Sequence, residues 1–231
     1  MGQILRVMSG LAVRAAFDSA IVPAFEKEAG CEVVTEWTPT TLIMQRVPAG
    51  DTADVLVVTK SAMDKLADGG FVDRDSRIEL VHSRVGLAVP GGAQHPDIGT
   101  LDAFRSALLA ARSVAYSRAG ASGIHFEKVL EELGIAEEVR GRATVIPEGF
   151  TAEKLVSGEA DLAVQQVSEL LVVPGIDIVG RFPEAVQTVT SFSAATTPSA
   201  ADPSLAARFM AFLHSPLAAE AYRKTGVDPA F

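Results

Sequence analysis

The loop from Tyr116 to Gly123 carries the side chains best suited to chemistry, since it combines hydroxyls, small residues and one cation. An apolar pattern typical of an amphipathic helix follows it. The first N–H groups of a helix lack intrahelical partners, and the helix dipole is positive at that end. The loop is therefore predicted to bind an anion through Ser117, Arg118, Ser122 and the backbone at Gly123. The alternative is an ordinary turn in which Ser122 is the helix N-cap.

Polar side chains also follow three other predicted strands. Ser9 follows the first strand, and Thr40 and Thr41 follow the second. Gln165 and Gln166 end a later apolar strand; because side chains alternate along a strand, we expect Gln166 to face the ligand. Ligands of open α/β sheets bind beyond the carboxyl ends of strands, so these groups are candidate ligand donors. For Ser9 and Thr40 the alternative is helix N-capping.

Two further residues are candidates for proton transfer, should the protein be an enzyme. His125 lies within one helical turn of the anion loop, and Glu148 precedes another predicted helix. A carboxylate facing an anion is repelled unless it acts as a base. The alternative is a structural His125 and an exposed acidic Glu148. The four histidines and the single Cys31 match no metal-binding spacing, so neither a metal nor a cofactor is expected.

Composition narrows the possible partners. The chain has 231 residues and a net charge of −9, which argues against nucleic acid as a partner. No apolar run approaches the ~18 residues of a membrane span, so membrane insertion is not expected. A small anionic ligand remains compatible, because it responds to the local field of its site. We expect a monomer.

Predicted strands and helices alternate along the chain, which indicates an α/β protein with mixed, mainly parallel sheets. Ala53–Val58 is typical of a strand buried on both faces, and Leu11–Ala29 of a helix bent near Pro23. No linker separates the two α/β halves. The extended runs Val85–Val89 and Val189–Ala194 are the predicted crossings between them.

The order of several motifs resembles type II periplasmic solute-binding proteins, and specifically the molybdate-binding protein family. The similarity spans nearly the whole chain. The stretches that carry it are Met8-Ser9-Gly10-Leu11, Thr40-Thr41-Leu42, Gly50–Leu56, Ala121-Ser122-Gly123-Ile124, Ser157–Val164 and Phe212–Ala219. The Gln-Gln-Val-Ser-Glu stretch at 165–169 is similar to the branch of this superfamily that includes aconitate isomerase.

The resemblance implies two α/β lobes joined by hinge strands that close on a ligand in the cleft between them. It places lobe I at residues 1–84 and 190–231 and lobe II at 85–189. Family members bind tetrahedral oxyanions with hydroxyls and backbone N–H groups, and Ser9 and Thr40 match two such positions. Gln166 stands where molybdate binders place a Tyr, and Arg118 is a cation outside their pattern. Both departures favour an organic carboxylate.

The leading expectation is a solute-binding protein of the ABC-transporter type that binds a small anion, an organic di- or tricarboxylate, by hinge closure. The alternative is a cofactor-independent isomerase that moves a proton within an unsaturated tricarboxylate. The membrane component of an ABC transporter is the partner expected for the first function. A native Met1 implies a cytoplasmic protein, whereas a removed leader implies a periplasmic one.

Overall fold

The structure is a computed structural model that describes residues 2–231. The strands are β1 (Gln3–Ser9), β2 (Cys31–Trp37), β3 (Val55–Thr59), β4 (Ile78–Pro90), β5 (Val114–Ser117), β6 (Thr144–Ile146), β7 (Leu162–Gln166), β8 (Ile176–Arg181), β9 (Val189–Thr196) and β10 (Asp228–Pro229). The predicted alternation of strands and helices is confirmed.

The α-helices are α1 (Arg14–Ala16), α2 (Val22–Ala29), α3 (Thr40–Arg46), α4 (Lys60–Asp68), α5 (Leu101–Ala110), α6 (Ala121–Glu132), α7 (Ala136–Arg140), α8 (Glu153–Val156), α9 (Val167–Leu170), α10 (Pro203–Leu213) and α11 (Pro216–Lys224). Three-residue 3-10 turns lie at Leu11–Val13, Arg74–Ser76 and Glu184–Val186. None of the helices within residues 2–231 is long and apolar enough to cross a membrane.

The chain forms two compact units. Unit 1 comprises Met1–Ser83 and Thr190–Phe231, and unit 2 comprises Arg84–Val189. The chain passes between them twice, within β4 and near the start of β9.

Unit 1 has a mixed sheet whose parallel part places three strand ends at one edge. β1 pairs in parallel with β2 and β3, and β9 joins β3 antiparallel. Alternate residues of β3 face two apolar layers: Val55 and Val57 lie in one cluster, Leu56 and Val58 in another. All four are fully buried, as the apolar run predicts.

Unit 2 has its own mixed sheet. β5 pairs in parallel with β6 and β7, while the second half of β4 pairs antiparallel with β7 and β8. Its larger core joins β4, β5 and β7 to α5 and α6, with Phe126 fully buried. The carboxyl ends of β5 and β7 carry the polar residues of interest in this unit.

The helical run predicted over Leu11–Ala29 is confirmed, but its helix type changes along its length. A 3-10 turn and α1 lead into a π-helical segment at Phe17–Ile21, and α2 follows it. Pro23, at the start of α2, has no N–H to bond the carbonyl four residues earlier. The wider π turn accommodates that missing bond.

Candidate functional site

In unit 2 the predicted anion loop leads from a buried strand directly into a helix. Ser117 ends β5, and its Oγ accepts a hydrogen bond from the Gly120 N–H at 3.2 Å. Helix α6 then begins at Ala121. Because the first intrahelical bond to Gly120 comes from the Ile124 N–H, the earlier N–H groups of the helix are available to an anion.

The alternative in which Ser122 is the N-cap of the helix is wrong. Gly120 occupies that position, without a side-chain cap bond, and Ser122 lies in the first turn of α6 with 1% of its surface exposed. Glycine allows the extended backbone of this cap at little cost. The Ser122 hydroxyl is therefore not used to cap the helix, and it lies beside the helix N-terminus.

Gly123 brings α6 unusually close to β5. A Cβ at Gly123 would lie 1.6 Å from the carbonyl oxygen of Ser117, well inside any real contact. Glycine is therefore required here, and it fixes the helix N-terminus against the end of the strand.

In unit 1 the strand ends carry a second set of hydroxyls. Ser9 ends β1 and is fully buried; its Oγ donates to the Gly10 carbonyl at 2.9 Å. Thr40 begins α3, and its Oγ1 accepts a long bond of 3.4 Å from the Thr59 N–H at the end of β3. Gly10 follows Ser9 directly, and a Cβ added at Gly10 would lie 3.5 Å from the Thr40 Oγ1. Ser9 and Thr40 are therefore close neighbours at this edge of the sheet.

Neither hydroxyl caps a helix. Gly10 precedes the turn after β1 and Pro39 precedes α3, and both ends lack a side-chain cap bond. The N-capping alternative for Ser9 and Thr40 is therefore wrong. Thr41 follows in α3 and is half-buried.

The two glutamines at the end of β7 differ in role. Gln165 is committed to the neighbouring loop: its Oε1 accepts from the Thr151 N–H at 2.8 Å and Oγ1 at 3.1 Å, and its Nε2 donates to the Gly149 carbonyl at 2.8 Å. Gln166 is buried at the very end of the strand. Because side chains alternate along a strand, Gln166 faces away from the side of Gln165, and its role in ligand binding stays a prediction.

A buried carboxyl lies just beyond these glutamines. Glu169, in α9, is 8% exposed. Burial raises the pKa of its carboxyl to about 7, against hydrogen bonds from the Gln166 backbone and the Gln165 side chain that lower it.

Arg118 is the one charged residue in the loop from Tyr116 to Gly123. Its exposed side chain lines a surface groove in unit 2. The other lining residues are Tyr116, Ile124, Glu127, Arg140 and Val145. Arg140 is paired with Glu127 and Glu131, whereas Arg118 has no ion pair among residues 2–231. Arg118 is thus a cation still available to a ligand.

These hydroxyls, glutamines and helix N-termini suit an anion held largely by neutral donors.

Residues 5–228 match the family described as bacterial extracellular solute-binding proteins. The chain belongs to this family. The match covers both units and every candidate site residue.

Two curated relatives extend the comparison. Aconitate isomerase from Pseudomonas sp. is 36% identical over 215 residues, which cover 90% of this chain and 82% of that protein. Molybdate-binding protein ModA from Escherichia coli K12 is 24% identical over 221 residues, covering 89% and 82%. Together the two relatives support the predicted resemblance to molybdate-binding proteins and to a branch that includes aconitate isomerase.

The fold of this solute-binding family member is shared by solved structures. The periplasmic molybdate-binding protein of Azotobacter vinelandii has a TM-score of 0.80 at 20% identity, covering 96% of this chain and 98% of that one. At that identity the likeness establishes the fold, which is the predicted periplasmic-binding-protein fold.

The two candidates for proton transfer, His125 and Glu148, have different environments in this family member. The half-buried His125 lies near Phe182, with Nε2 2.8 Å from the Val186 carbonyl oxygen. A carbonyl can only accept, so Nε2 carries the proton and, in the neutral ring, Nδ1 is free to accept one. Glu148 is an exposed loop residue.

Proposed function

We propose that this solute-binding protein binds a small organic di- or tricarboxylate. The observation that carries the proposal is that four hydroxyls, those of Ser9, Thr40, Ser117 and Ser122, stand at strand ends or helix starts without serving as side-chain caps of helices. Ser9, Ser117 and Ser122 are buried and Thr40 is half-buried. Neutral hydroxyls in such positions suit an anion, since each bond to a charged group contributes about 1.5–3 kcal/mol.

Two residues favour carboxylates over metal oxyanions. Arg118 is an exposed guanidinium without an ion pair among the described residues, and its planar fork can bind a carboxylate through two parallel bonds. Gln166 offers an amide, which can both donate and accept, at the end of β7. Thr41 and the backbone at Gly123 complete the proposed donor set. In this proposal both units contribute donors, and hinge closure accompanies binding.

Isothermal titration calorimetry tests this function. The full chain is titrated with trans-aconitate, cis-aconitate, citrate, molybdate, tungstate and sulfate. We expect tight binding of at least one carboxylate and weaker binding of molybdate. Absence of binding to every anion in the panel would overturn the proposal.

A second function is favoured by the 36% identity to the Pseudomonas protein named aconitate isomerase. In this reaction a base removes a proton from the methylene carbon next to the double bond of a tricarboxylate. The double bond shifts, and the proton returns to the former alkene carbon, so no oxidant, reductant or cofactor is needed. His125 Nδ1 is the proposed base, with Glu148 as the second candidate.

An absorbance assay that follows interconversion of cis- and trans-aconitate tests the enzyme function. We expect turnover by the native chain and a loss of about 10²-fold or more with His125→Gln, if His125 is the base. Glu148→Gln is the parallel variant. A protein that binds aconitate without converting it would exclude the isomerase and leave the binding function, for which a membrane component of an ABC transporter is the proposed partner.

A further inference from the structure

The single tryptophan of the chain, Trp37, lies beside Ser9 at the carboxyl end of the parallel strands of unit 1. Ser9 and Trp37 are direct partners in the pairing of β1 with β2. Val7 and Val33, at alternate positions of the same two strands, lie in one apolar cluster, and Trp37 packs against that cluster. Because side chains alternate along a strand, Ser9 and Trp37 lie on the same face of the sheet, on strands about 4.8 Å apart.

The guanidinium of Arg14 lies over the ring of this tryptophan. Its Cζ is 5.8 Å from the ring centroid, within the range at which a cation is attracted to the ring face. Arg14 Nε also donates to Asp18 Oδ2 at 3.2 Å. That bond uses one of the five N–H donors of a guanidinium. Arg14 is thus a cation held at Trp37, the direct strand neighbour of Ser9.

The π-helical segment Phe17–Ile21 supplies two of these contacts. Phe17, its first residue, packs edge-on against the Trp37 ring, with the ring centroids 5.7 Å apart and the planes at 70°. Asp18 follows in the segment and accepts the bond from Arg14. π turns are rare and frequently mark functional sites. The irregular turn therefore positions partners of both Trp37 and Arg14.

We propose that Arg14 is a specificity-determining residue of this site: it binds a second carboxylate of a ligand whose first carboxylate lies at the hydroxyls of Ser9 and Thr40. The inference depends on the proposed binding function and deepens it, because it requires a ligand with at least two carboxylates. A tricarboxylate such as citrate carries its carboxyl groups on separate carbons, so two of them can reach these two places. A single tetrahedral oxyanion such as molybdate has no second group for Arg14.

The surroundings of Arg14 suit a carboxylate. The Arg14 side chain is 37% exposed, so a ligand can reach it. Its partner Asp18 is 53% exposed, and exposed ion pairs contribute little to stability, so a ligand carboxylate can share or replace that pair at small cost. Stacking on Trp37 restricts the guanidinium before the ligand arrives, which reduces the entropy lost on binding. The planar guanidinium fork then matches a carboxylate through two parallel bonds.

Calorimetric titration with citrate and trans-aconitate tests the assignment of Arg14. The native chain is compared with Arg14→Gln, Arg14→Lys and the control Arg74→Gln. Arg74 is also an exposed arginine of unit 1 and is paired with Asp68 at 2.7 Å, so its loss removes the same charge and the same kind of surface pair. We expect Arg14→Gln to bind both ligands about tenfold to a hundredfold more weakly, the range for hydrogen bonds to a charged group. Arg14→Lys should bind with intermediate affinity, since it keeps the charge and loses the fork, and the control should bind like the native chain.

The fluorescence of Trp37 gives a second readout that a merely structural role of Arg14 would not alter. Since the chain has one tryptophan, the emission belongs to Trp37. A carboxylate bound at Arg14 changes the charge next to the indole, so saturating citrate should change the emission of the native chain and of Arg74→Gln. In Arg14→Gln the change should be much smaller, at a citrate concentration that saturates this variant.

The outcomes distinguish the role of Arg14 from the binding function. If citrate and trans-aconitate bind the native chain and bind Arg14→Gln equally tightly, the role of Arg14 is overturned and the binding function stands. The same conclusion follows if Arg14→Gln keeps the full emission change at saturation. If no anion binds the native chain, molybdate and sulfate included, the proposed function fails and the role of Arg14 fails with it.

Discussion

The α-carbon of Gly123 faces the backbone carbonyl of Ser117 so closely that a Cβ would stand 1.6 Å from the oxygen. Helix α6 can approach β5 only because residue 123 has no side chain. The hydroxyls of Ser117 and Ser122 and the helix N-terminus share one place in unit 2 for that reason.

Replacing Gly123 with alanine should therefore separate α6 from β5. We expect Gly123→Ala to lower the free energy of unfolding by about 1–3 kcal/mol or more, since overpacking against backbone cannot be relieved by a rotamer change. Urea denaturation measures it. Gly99→Ala is the control, because its added Cβ would meet only the carboxylate of Asp97 at 3.2 Å. Equal stability of the two variants would contradict the close approach.

Removing a hydroxyl of unit 1 should weaken ligand binding. Ser9→Ala and Thr40→Val each remove one donor, and we expect each to weaken carboxylate affinity by about tenfold to a hundredfold, the contribution of a hydrogen bond to a charged ligand. Calorimetry measures the affinity. Ser19→Ala, which removes an exposed hydroxyl that bonds only its own helix, should bind like the native protein. If Ser9→Ala and Thr40→Val both bind the carboxylate as tightly as the native protein does, neither hydroxyl is a ligand donor.

Arg118→Ala should change ligand preference. We expect affinity for citrate to fall more than affinity for molybdate, because citrate carries more negative charge and presents several planar carboxylates that can pair with the guanidinium. Added salt should reduce the difference, since Arg118 is exposed. Competition titrations of citrate against molybdate measure the preference. If Arg118→Ala weakens the affinities for citrate and molybdate equally, Arg118 acts only through its charge and does not set the ligand preference.

The buried carboxyl of Glu169 should make stability depend on pH. Its pKa rises on folding from 4.5 to about 7, so between these values the folded protein holds a proton that the unfolded chain has released. Stability therefore falls as pH rises through this range and is constant above it. Relative to Glu169→Gln, the native protein should lose about 3 kcal/mol between about pH 5 and about pH 8. Urea denaturation measures the free energies of unfolding. If the difference between the native protein and Glu169→Gln stays constant over this pH range, the raised pKa is contradicted.

The sequence predicts much of the fold because local patterns determine it. The apolar run at Ala53–Val58 identifies β3, and apolar spacing identifies α6. Strand-end hydroxyls such as Ser9 are predictable for the same reason, since they follow a recognisable strand.

What the sequence misses depends on tertiary contacts. The bonds from Gln165 to Thr151 join residues 14 apart, and the charge of Glu169 by itself predicts an exposed side chain. Its place in the short segment Val-Ser-Glu-Leu, between an apolar strand and a buried Leu170, is the signal that could have found it. The N-cap at Gly120 was missed because Ser122 is the stronger capping residue by type.

Calorimetric titration of the native chain and Ser9→Ala with citrate, trans-aconitate and molybdate tests the central claim most directly. The account predicts that a carboxylate binds the native chain at least about tenfold more tightly than molybdate does, and that Ser9→Ala loses about tenfold or more of that affinity. A native chain that binds molybdate tightly and no carboxylate would contradict it.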